Sequence, residues 1–379
     1  MIHGRSHPSC ILLPDGNVAA VNGIDEHGNP NRLLEVYDYN LDKWKIKFDP
    51  TTSFTYCVSN ISDNHNEVKC AQCYGSSNKG VCSDTGITPR MHVMPDGKVI
   101  VCGMGTNIRL WDPKTGTWRL LTNTSIPRYY GTSFLLPLMN SISERGKILL
   151  VGGSHLQDEN GTSKVEILDF NIGGSISPTI REVQSLKYKR KMQSPIILPN
   201  GKLVIFGGSK EDNDIPVYTP EMFDPTTETW SILDPASIPR LKNHVSILLP
   251  DGRVWTAGGV NKNEEWERRT EIFSPDYIFK ERPIISGELV VKSYGGNILI
   301  PTPNPNSISK VSLVKLMSTT QYHESNQRLL WLDIHDKSSN VIIVSAPLNP
   351  NLAPPGMYMV HILNEANVPS YAHIIKIHP

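Results

Sequence analysis

Apolar runs along the chain alternate with turn residues, and the pattern recurs at intervals of about 50 residues. Each recurring phrase holds an apolar run, a tight turn such as Pro-Asp-Gly, and a second run rich in β-branched residues. Glycine supplies the positive φ that such a turn needs, so each phrase predicts a β-hairpin. The phrases are ILLPDGNVAAVNG from residue 11, HVMPDGKVIVCGM from 92, IILPNGKLVIFGG from 196, ILLPDGRVWTAGG from 247, and a divergent fifth, ERGKILLVGG, from 144.

A second phrase follows three of these hairpins and predicts two more strands in each repeat. It holds an aromatic residue, a turn and a Trp that opens the last strand: EVYDYNLDKW from 35, RLWDPKTGTW from 109 and EMFDPTTETW from 221. Four short strands per repeat, with glycines and aromatics at fixed offsets, are typical of a kelch-type β-propeller. The sequence therefore predicts an all-β protein whose residues 1–282 form a propeller with five clear repeats.

One interval between hairpins is longer than the others. Pro14 and Pro95 are 81 residues apart, whereas Pro199 and Pro250 are 51 apart. We interpret residues 52–86 as a polar insertion in the propeller. It carries four cysteines in a C-x12-C-x2-C-x8-C spacing, which fits either a structural zinc site or two disulfides. These cysteines are Cys57, Cys70, Cys73 and Cys82.

The repeat pattern ends near residue 280. Residues 283–379 hold alternating apolar runs without the Pro-Asp-Gly turn, among them ISKVSLVKLM, QRLLWLDI, NVIIVSAP and GMYMVHILN. Short alternating strands over about 100 residues are typical of an Ig-like β-sandwich. The sequence thus predicts a second, all-β domain after the propeller.

Charge and hydropathy narrow the range of partners. The chain has 37 basic and 37 acidic side chains, so no net field attracts it to nucleic acid. We find no apolar run of about 18 residues that would suggest a membrane span, and no signal region at the start of the given sequence. A neutral small molecule, a glycan or another protein is the expected partner.

Four stretches resemble the galactose oxidase and glyoxal oxidase family of copper radical oxidases. They are RLKNHVSILLPDGRV from 240, EIFSPDYI from 271, MSTTQYHESNQRLLWL from 317 and APPGMYMVHILNEANVPSYA from 353. The resemblance implies a kelch propeller followed by an Ig-like early-set domain, although family propellers have seven blades and five repeats are clear here. It also implies a secreted or cell-surface protein.

The resemblance further implies a copper ion held by two tyrosines and two histidines, with one tyrosine crosslinked to a cysteine. Tyr130, in RYYGTSFLLP, matches the crosslinked tyrosine. The other positions are changed. The second tyrosine and the histidine that follows it correspond to Lys242 and Asn243, the last histidine to Gln321, the crosslinked cysteine to Thr88, and the tryptophan that stacks on the radical to His155.

These replacements predict that copper-radical catalysis has been lost and that no cofactor is needed. A protonated Lys242 would repel a cation, and Thr88 cannot form the thioether. Under this hypothesis the propeller binds a ligand such as a sugar through Tyr130, His155, Lys242, Asn243 and Gln321. The alternative is a divergent copper oxidase of primary alcohols or aldehydes.

Two other metal sites are conceivable from the residue types. His155, His244 and His323 could converge from separate loops and bind zinc or copper, although a histidine near a strand end is more often a half-buried polar residue. For the insertion, the resemblance to secreted oxidases favours disulfides among the four cysteines from Cys57 to Cys82. A structural zinc site stays an almost equal alternative. Three N-x-S/T triplets, at Asn60, Asn123 and Asn160, are consistent with export.

Overall fold

A computed structural model provides the coordinates of the chain. The residues that it describes are 1, 4–29, 31, 33–48, 88–103, 105–155, 160–174, 177–210, 215–261, 263, 265–291, 293–320 and 323–378. Three sets of predictions lie outside them: the insertion over 52–86 with Cys57, Cys70, Cys73 and Cys82, the sequon at Asn60, and the position of Gln321.

Five antiparallel sheets follow one another along the described part of residues 1–282, and we name them blades A to E. Four blades have four strands, and blade E has three. Blade A contains β1 (Ser9–Leu12), β2 (Val18–Val21), β3 (Leu34–Asp38) and β4 (Lys43–Phe48), and blade B contains β5 (Arg90–Val93), β6 (Val99–Cys102), β7 (Asn107–Trp111) and β8 (Trp118–Asn123).

Blade C is interrupted by two short elements. Its sheet contains β9 (Thr132–Leu135), β11 (Lys147–Val151), β12 (Val165–Asp169) and β13 (Thr179–Glu182), with β10 (Leu138–Met139) after β9 and helix α1 (Phe170–Gly173) after β12. Blade D contains β14 (Ser194–Ile197), β15 (Leu203–Phe206), β16 (Glu221–Asp224) and β17 (Thr229–Ile232), and blade E contains β18 (Lys242–Leu248), β19 (Val254–Val260) and β20 (Glu271–Phe273).

The first strand of each blade is its innermost strand, and these strands lie side by side in the order β1, β5, β9, β14 and β18. Each predicted hairpin is present, because β1–β2, β5–β6, β9–β11, β14–β15 and β18–β19 pair antiparallel. The aromatic phrases form the third and fourth strands of blades A, B and D, as predicted. The propeller prediction is therefore confirmed.

A buried ion pair ties the start of four blades to their third strand. An arginine that precedes the innermost strand reaches a glutamate on the same blade's third strand, and in three blades both side chains are almost fully buried. The pairs are Arg5–Glu35 at 2.7 Å, Arg128–Glu166 at 2.7 Å, Arg190–Glu221 at 2.6 Å and the more exposed Arg240–Glu271 at 3.7 Å.

The second domain is a sandwich of two sheets, as predicted. A 3-10 helix (Asp276–Phe279) leads out of blade E, and a second one (Pro305–Ser307) lies within the sandwich. The proposed boundary at residue 282 lies between β20 and the first sandwich strand and stays a prediction. The strands are β21 (Val290–Val291), β22 (Asn297–Pro301), β23 (Ile308–Lys315), β24 (Thr319–Thr320), β25 (His323–Glu324), β26 (Leu329–Leu332), β27 (Ile334–Ser338), β28 (Val341–Ser345), β29 (Gly356–Asn364) and β30 (His373–Ile377).

Propeller and sandwich share a continuous apolar core. One sheet has the order β10-β26-β23-β29-β30, so a strand that leaves blade C forms the edge of the sandwich; the other has the order β21-β22-β28-β27. Ile100 and Ile148 of the propeller belong to the same buried cluster as Val311 and Leu330 of the sandwich. None of the helices in the described residues is long and apolar enough to cross a membrane.

Candidate functional site

The site proposed from the sequence lies where the innermost strands begin, an end of the propeller that we call the axial rim. A proline follows the innermost strand of three blades: Pro137 in C, Pro199 in D and Pro250 in E. Counting back eight residues from it reaches the same rim position in each: Tyr129, Lys191 and Lys242. Each pairs with a residue that follows its blade's second strand or ends it: Ser154, Ser209 and Val260 respectively. The turn proline thus sets a common register for these blades.

The next residue along each strand has a left-handed backbone. Tyr130, Met192 and Asn243 have φ values of +57°, +61° and +60°. Such values are uncommon outside glycine and cost of order 1–3 kcal/mol, so neighbouring structure must hold them. Part of that support is a hydrogen bond of 2.7 Å from the Met192 amide to the Tyr130 carbonyl oxygen, which links blades C and D. Two family-equivalent positions, Tyr130 and Asn243, therefore lie on the same rim.

Thr88 occupies the corresponding place in blade B, seven residues before its turn proline. It is half-buried, and its carbonyl oxygen accepts a hydrogen bond of 3.0 Å from Arg90 Nη1. His155 is exposed just after Ser154 in blade C. Both residues thus lie near the rim, on different blades.

His244 has a structural partner in the neighbouring blade. The ring is fully buried, and its Nε2 lies 3.1 Å from the carbonyl oxygen of Phe206 on β15. A carbonyl can only accept, so Nε2 carries the proton and donates. The pKa of His244 is lowered to about 4, chiefly by burial, with the hydrogen bond to Phe206 opposing that effect and Arg240 adding to it. His244 is thus a neutral link from blade E to blade D.

The preceding blade forms the same link with a different side chain. Gln193 is six residues before its turn proline, as His244 is, and its Nε2 donates a hydrogen bond of 2.8 Å to the carbonyl oxygen of Val151 on β11. Val151 and Phe206 both precede a Gly-Gly pair. Because Gln193 and His244 occupy equivalent places, blade-to-blade attachment explains His244 without a metal.

Gly207 leaves room for this histidine. A Cβ at this position would lie 2.8 Å from the His244 ring and from the Arg240 carbonyl oxygen, and its φ is +60°. We expect Gly207→Ala to lower the free energy of unfolding by about 2–4 kcal/mol, from backbone strain plus steric overlap. The test is urea-induced unfolding, with Gly28→Ala as control. Gly28 also has positive φ, at +82°, but a Cβ there would meet no atom within 4 Å, so equal losses at both sites would contradict the steric part.

A hairpin from the sandwich reaches the innermost strands. It consists of β24 and β25, which pair Thr319 with Glu324 and Thr320 with His323. β24 lies beside β18 of blade E, and β25 lies beside β14 of blade D. The two strands of this hairpin therefore lie beside the innermost strands of blades E and D.

The hairpin delivers His323 into a buried, cationic environment. His323 is 6% exposed, and within the described residues its Nδ1 has no hydrogen-bond partner. Burial lowers its pKa far below the usual value, and Arg90 and His92 act in the same direction. His92 is buried as well, with Nε2 2.7 Å from Ser133 Oγ, and burial lowers its pKa to about 3. Both rings are neutral at physiological pH.

Glu324 closes the hairpin and was not identified from the sequence. Its carboxylate accepts hydrogen bonds from the amides of Ser318 and Asn326. Burial raises the pKa of Glu324 to about 7 against the opposing effect of those amides and of Lys315. Nearby, Gln327 joins the sandwich to blade C by donating a hydrogen bond of 2.9 Å to the carbonyl oxygen of Ser133.

The three histidines suggested as a metal centre do not come together. Among the described residues, no group of three or more His, Cys, Asp or Glu side chains could hold a metal ion. His244 faces the carbonyl of Phe206, His323 is buried beside Arg90 and His92, and His155 is exposed. The residues brought to one rim are instead Tyr130, Lys242 and Asn243.

Family models cover nearly all of the chain after residue 52. The model described as "Glyoxal oxidase N-terminus" matches residues 53–278, and the model described as "Galactose oxidase-like, Early set domain" matches residues 282–377. The chain belongs to the galactose oxidase and glyoxal oxidase family. The resemblance predicted from the sequence motifs is thus confirmed.

Individual members of this family are moderately similar to the chain. A "Galactose oxidase" of Gibberella zeae is 31% identical over 247 residues, which cover 62% of this chain and 36% of that protein. An "Aldehyde oxidase GLOX" of Vitis pseudoreticulata is 25% identical over 77% of this chain and 62% of that protein. The chain therefore matches only part of the length of these relatives.

A solved structure agrees with the fold over the entire chain. It is entitled "Novel fungal alcohol oxidase with catalytic diversity among the AA5 family, in complex with copper". The TM-score is 0.79 at 21% sequence identity, with coverage of 100% of this chain and 77% of that one. This similarity supports the galactose oxidase-like fold.

The donor groups at the rim do not fit the copper centre implied by the family. Tyr130 could supply a phenolate, but Lys242 offers an ammonium group and Asn243 an amide where a tyrosine and a histidine are expected. Copper(II) favours imidazole and anionic oxygen ligands, and a protonated amine repels it. His244, the nearest imidazole along the strand, is fully buried and donates its Nε2–H to Phe206, so only its Nδ1 could serve as a ligand atom, and one imidazole does not complete the set. We derive no catalytic step through copper.

Proposed function

We propose that this member of the galactose oxidase and glyoxal oxidase family is a binding protein that has lost copper-radical catalysis. The observation that carries the proposal is the pair Lys242 and Asn243, which stands where the family places a copper-binding tyrosine and histidine. The neighbouring imidazole, His244, is fully buried against blade D, where its Nε2–H donates to the carbonyl oxygen of Phe206, and it does not occupy the family-equivalent place of Asn243.

The expected ligand is a neutral carbohydrate at the axial rim. Tyr130, His155, Lys242 and Asn243 combine donors and acceptors of the kind that sugar hydroxyls engage. Gln321, which the family resemblance aligns with a copper-binding histidine, belongs to the same proposal. The chain's net charge of zero gives no preference for polyanions.

An extracellular location is consistent with this function and is implied by the family resemblance. Two of the three sequon asparagines, Asn123 and Asn160, are exposed. That exposure is compatible with glycosylation of an exported chain.

A divergent copper oxidase of primary alcohols or aldehydes is the second candidate. Tyr130 is kept, and relatives named as galactose and aldehyde oxidases support this alternative. Copper content separates the two candidates.

We predict that the purified chain, incubated with copper(II) and then desalted, retains less than about 0.1 copper per molecule. No radical absorption should develop after oxidation with ferricyanide, and no peroxide should form from galactose or methylglyoxal. Elemental analysis and visible spectroscopy give the readouts. As the matched comparison, Lys242→Tyr with Asn243→His restores two ligand types and should retain more copper than the original chain. One copper per original chain, with a radical band, would establish the oxidase.

A further inference from the structure

Trp266 is 71% exposed at the axial rim of blade E, on the connection between β19 and β20. Its backbone bridges to Val260, and Val260 pairs with Lys242 on β18. Residues directly opposite each other on neighbouring strands carry their side chains on the same face of a sheet. Trp266 and Lys242 therefore share one face of blade E, two strand spacings or about 10 Å apart.

Blade E lies beside blade D at this rim. β18 contacts β14, and His244 reaches the Phe206 carbonyl oxygen of blade D. Asn243 separates Lys242 from His244 with a φ of +60°, so the face of Lys242 is set by its pairing with Val260 and not by that of His244. Trp266 thus stands in the same row as Lys242, one of the residues proposed to bind ligand.

The propeller architecture does not require an aromatic ring at this position. Blade C has the equivalent row Tyr129, Ser154 and Gly161, and blade D has Lys191, Ser209 and Pro216. The position that Trp266 occupies in blade E is therefore held by Gly161 in blade C and by Pro216 in blade D. Because packing of the repeat does not require the Trp266 side chain, its presence points to a role in recognition.

The backbone on both sides of Trp266 is fixed by hydrogen bonds. On one side the Asn261 amide donates to the Glu265 carbonyl oxygen at 3.0 Å. On the other, the Glu267 amide donates to the Gly259 carbonyl oxygen at 2.9 Å. A ring held on a fixed backbone loses little conformational freedom when it binds a ligand.

The surroundings of Trp266 suit a sugar better than a protein interface. Its sequence neighbours Glu265, Arg268, Arg269 and Thr270 are exposed and polar, and the adjacent Glu267 is polar but buried. A protein interface would need a contiguous apolar patch, whereas one flat ring among polar groups suits the C–H face of a pyranose.

We propose that Trp266 is an aromatic platform that stacks on one pyranose ring of an oligosaccharide whose next ring reaches Lys242 and Asn243. Two linked pyranose rings span roughly the separation between Trp266 and Lys242. This inference rests on the proposed carbohydrate-binding function and adds to it a minimum ligand length of two sugar units.

The test is calorimetric titration of the full chain with galactose, β-1,4-galactobiose and β-1,4-galactotriose. We expect galactobiose to bind about tenfold more tightly than galactose, since one stacking contact is added. Trp266→Ala should abolish this gain, so that galactobiose binds no more tightly than galactose, and Trp266→Phe should keep part of it. Galactobiose should also quench tryptophan emission in the original chain more than in Trp266→Phe.

Phe279→Ala provides the matched control. Phe279 is 78% exposed and ends the 3-10 helix whose Tyr277 hydroxyl bonds to Gly252 at the hairpin turn, so it lies at the opposite end of blade E. Its removal should change no affinity. Equal affinities for all three sugars, or a gain in affinity that persists in Trp266→Ala, would contradict the role of Trp266 as a platform but not the carbohydrate-binding function. Failure of the original chain to bind any of the three would overturn both.

Discussion

Replacing Glu221 with glutamine should lower the free energy of unfolding by about 3–5 kcal/mol. Glu221 lies 2.6 Å from Arg190, and both side chains are buried to within 1%. The glutamate also accepts hydrogen bonds from the amides of Lys187 and Tyr188. A neutral amide leaves the Arg190 charge buried without a counter-charge, which is why one substitution should cost so much. Urea-induced unfolding, followed by circular dichroism, measures the loss.

An exposed pair provides the control for this prediction. Arg181 and Glu228 form an ion pair of 2.5 Å whose side chains are 41% and 29% exposed. Solvent screens such a pair, so Glu228→Gln should cost less than about 1 kcal/mol. A double replacement, Arg190→Met with Glu221→Leu, removes both charges and should recover most of the stability. If Glu221→Gln cost no more than Glu228→Gln, the buried pairs would not be what holds the blades.

Acid should destabilise the protein, and His244→Gln should remove part of that effect. In the unfolded chain a histidine titrates near pH 6.5, whereas in the folded chain burial lowers the pKa of His244 to about 4. Between these values the unfolded state binds a proton and the folded state does not, so stability rises with pH. The two pKa values imply a contribution of about 3 kcal/mol that is present above pH 6.5 and lost as pH falls to 4.

Glutamine is the suitable replacement because Gln193 forms the same type of bond in the preceding blade. His244→Gln should stay within about 1 kcal/mol of the original chain at pH 7.5 and become relatively more stable by about 3 kcal/mol at pH 4. Urea unfolding at pH values from 4 to 8 gives the comparison. The reciprocal change, Gln193→His, should add acid sensitivity of similar size. Parallel pH curves for all three proteins would show that His244 is not held neutral.

The strands of the propeller could be predicted because their signals are local. Alternating apolar positions and Pro-Asp-Gly turns fix both the strands and the registers of hairpins such as β18–β19. The same register allowed Lys242 and Asn243 to be located by counting back from Pro250. β10 lacked such a signal, because a two-residue strand is defined only by its pairing with Leu330 and Trp331 of the sandwich.

Much of the site depended on contacts between distant parts of the chain. The partner of His244 is a backbone carbonyl 38 residues away, and a carbonyl leaves no mark in a sequence. In the sequence Glu324 looks like an ordinary polar residue. The hairpin buries it, and burial raises its pKa to about 7. Trp266 lies in a stretch without a repeat motif, although comparison with Gly161 and Pro216 in the equivalent rows could have singled it out.

The sequence by itself determined the all-β class, the repeated blades, the sandwich and the family, and it predicted that Lys242 and Asn243 stand where the family places copper ligands. Each of these follows from side-chain chemistry and spacing within one hairpin or motif. Only the tertiary structure decided that His244 links two blades, that β24 and β25 insert beside β18 and β14, and that Trp266 shares a face with Lys242. Those relations join groups on different blades or domains, and packing alone brings them together.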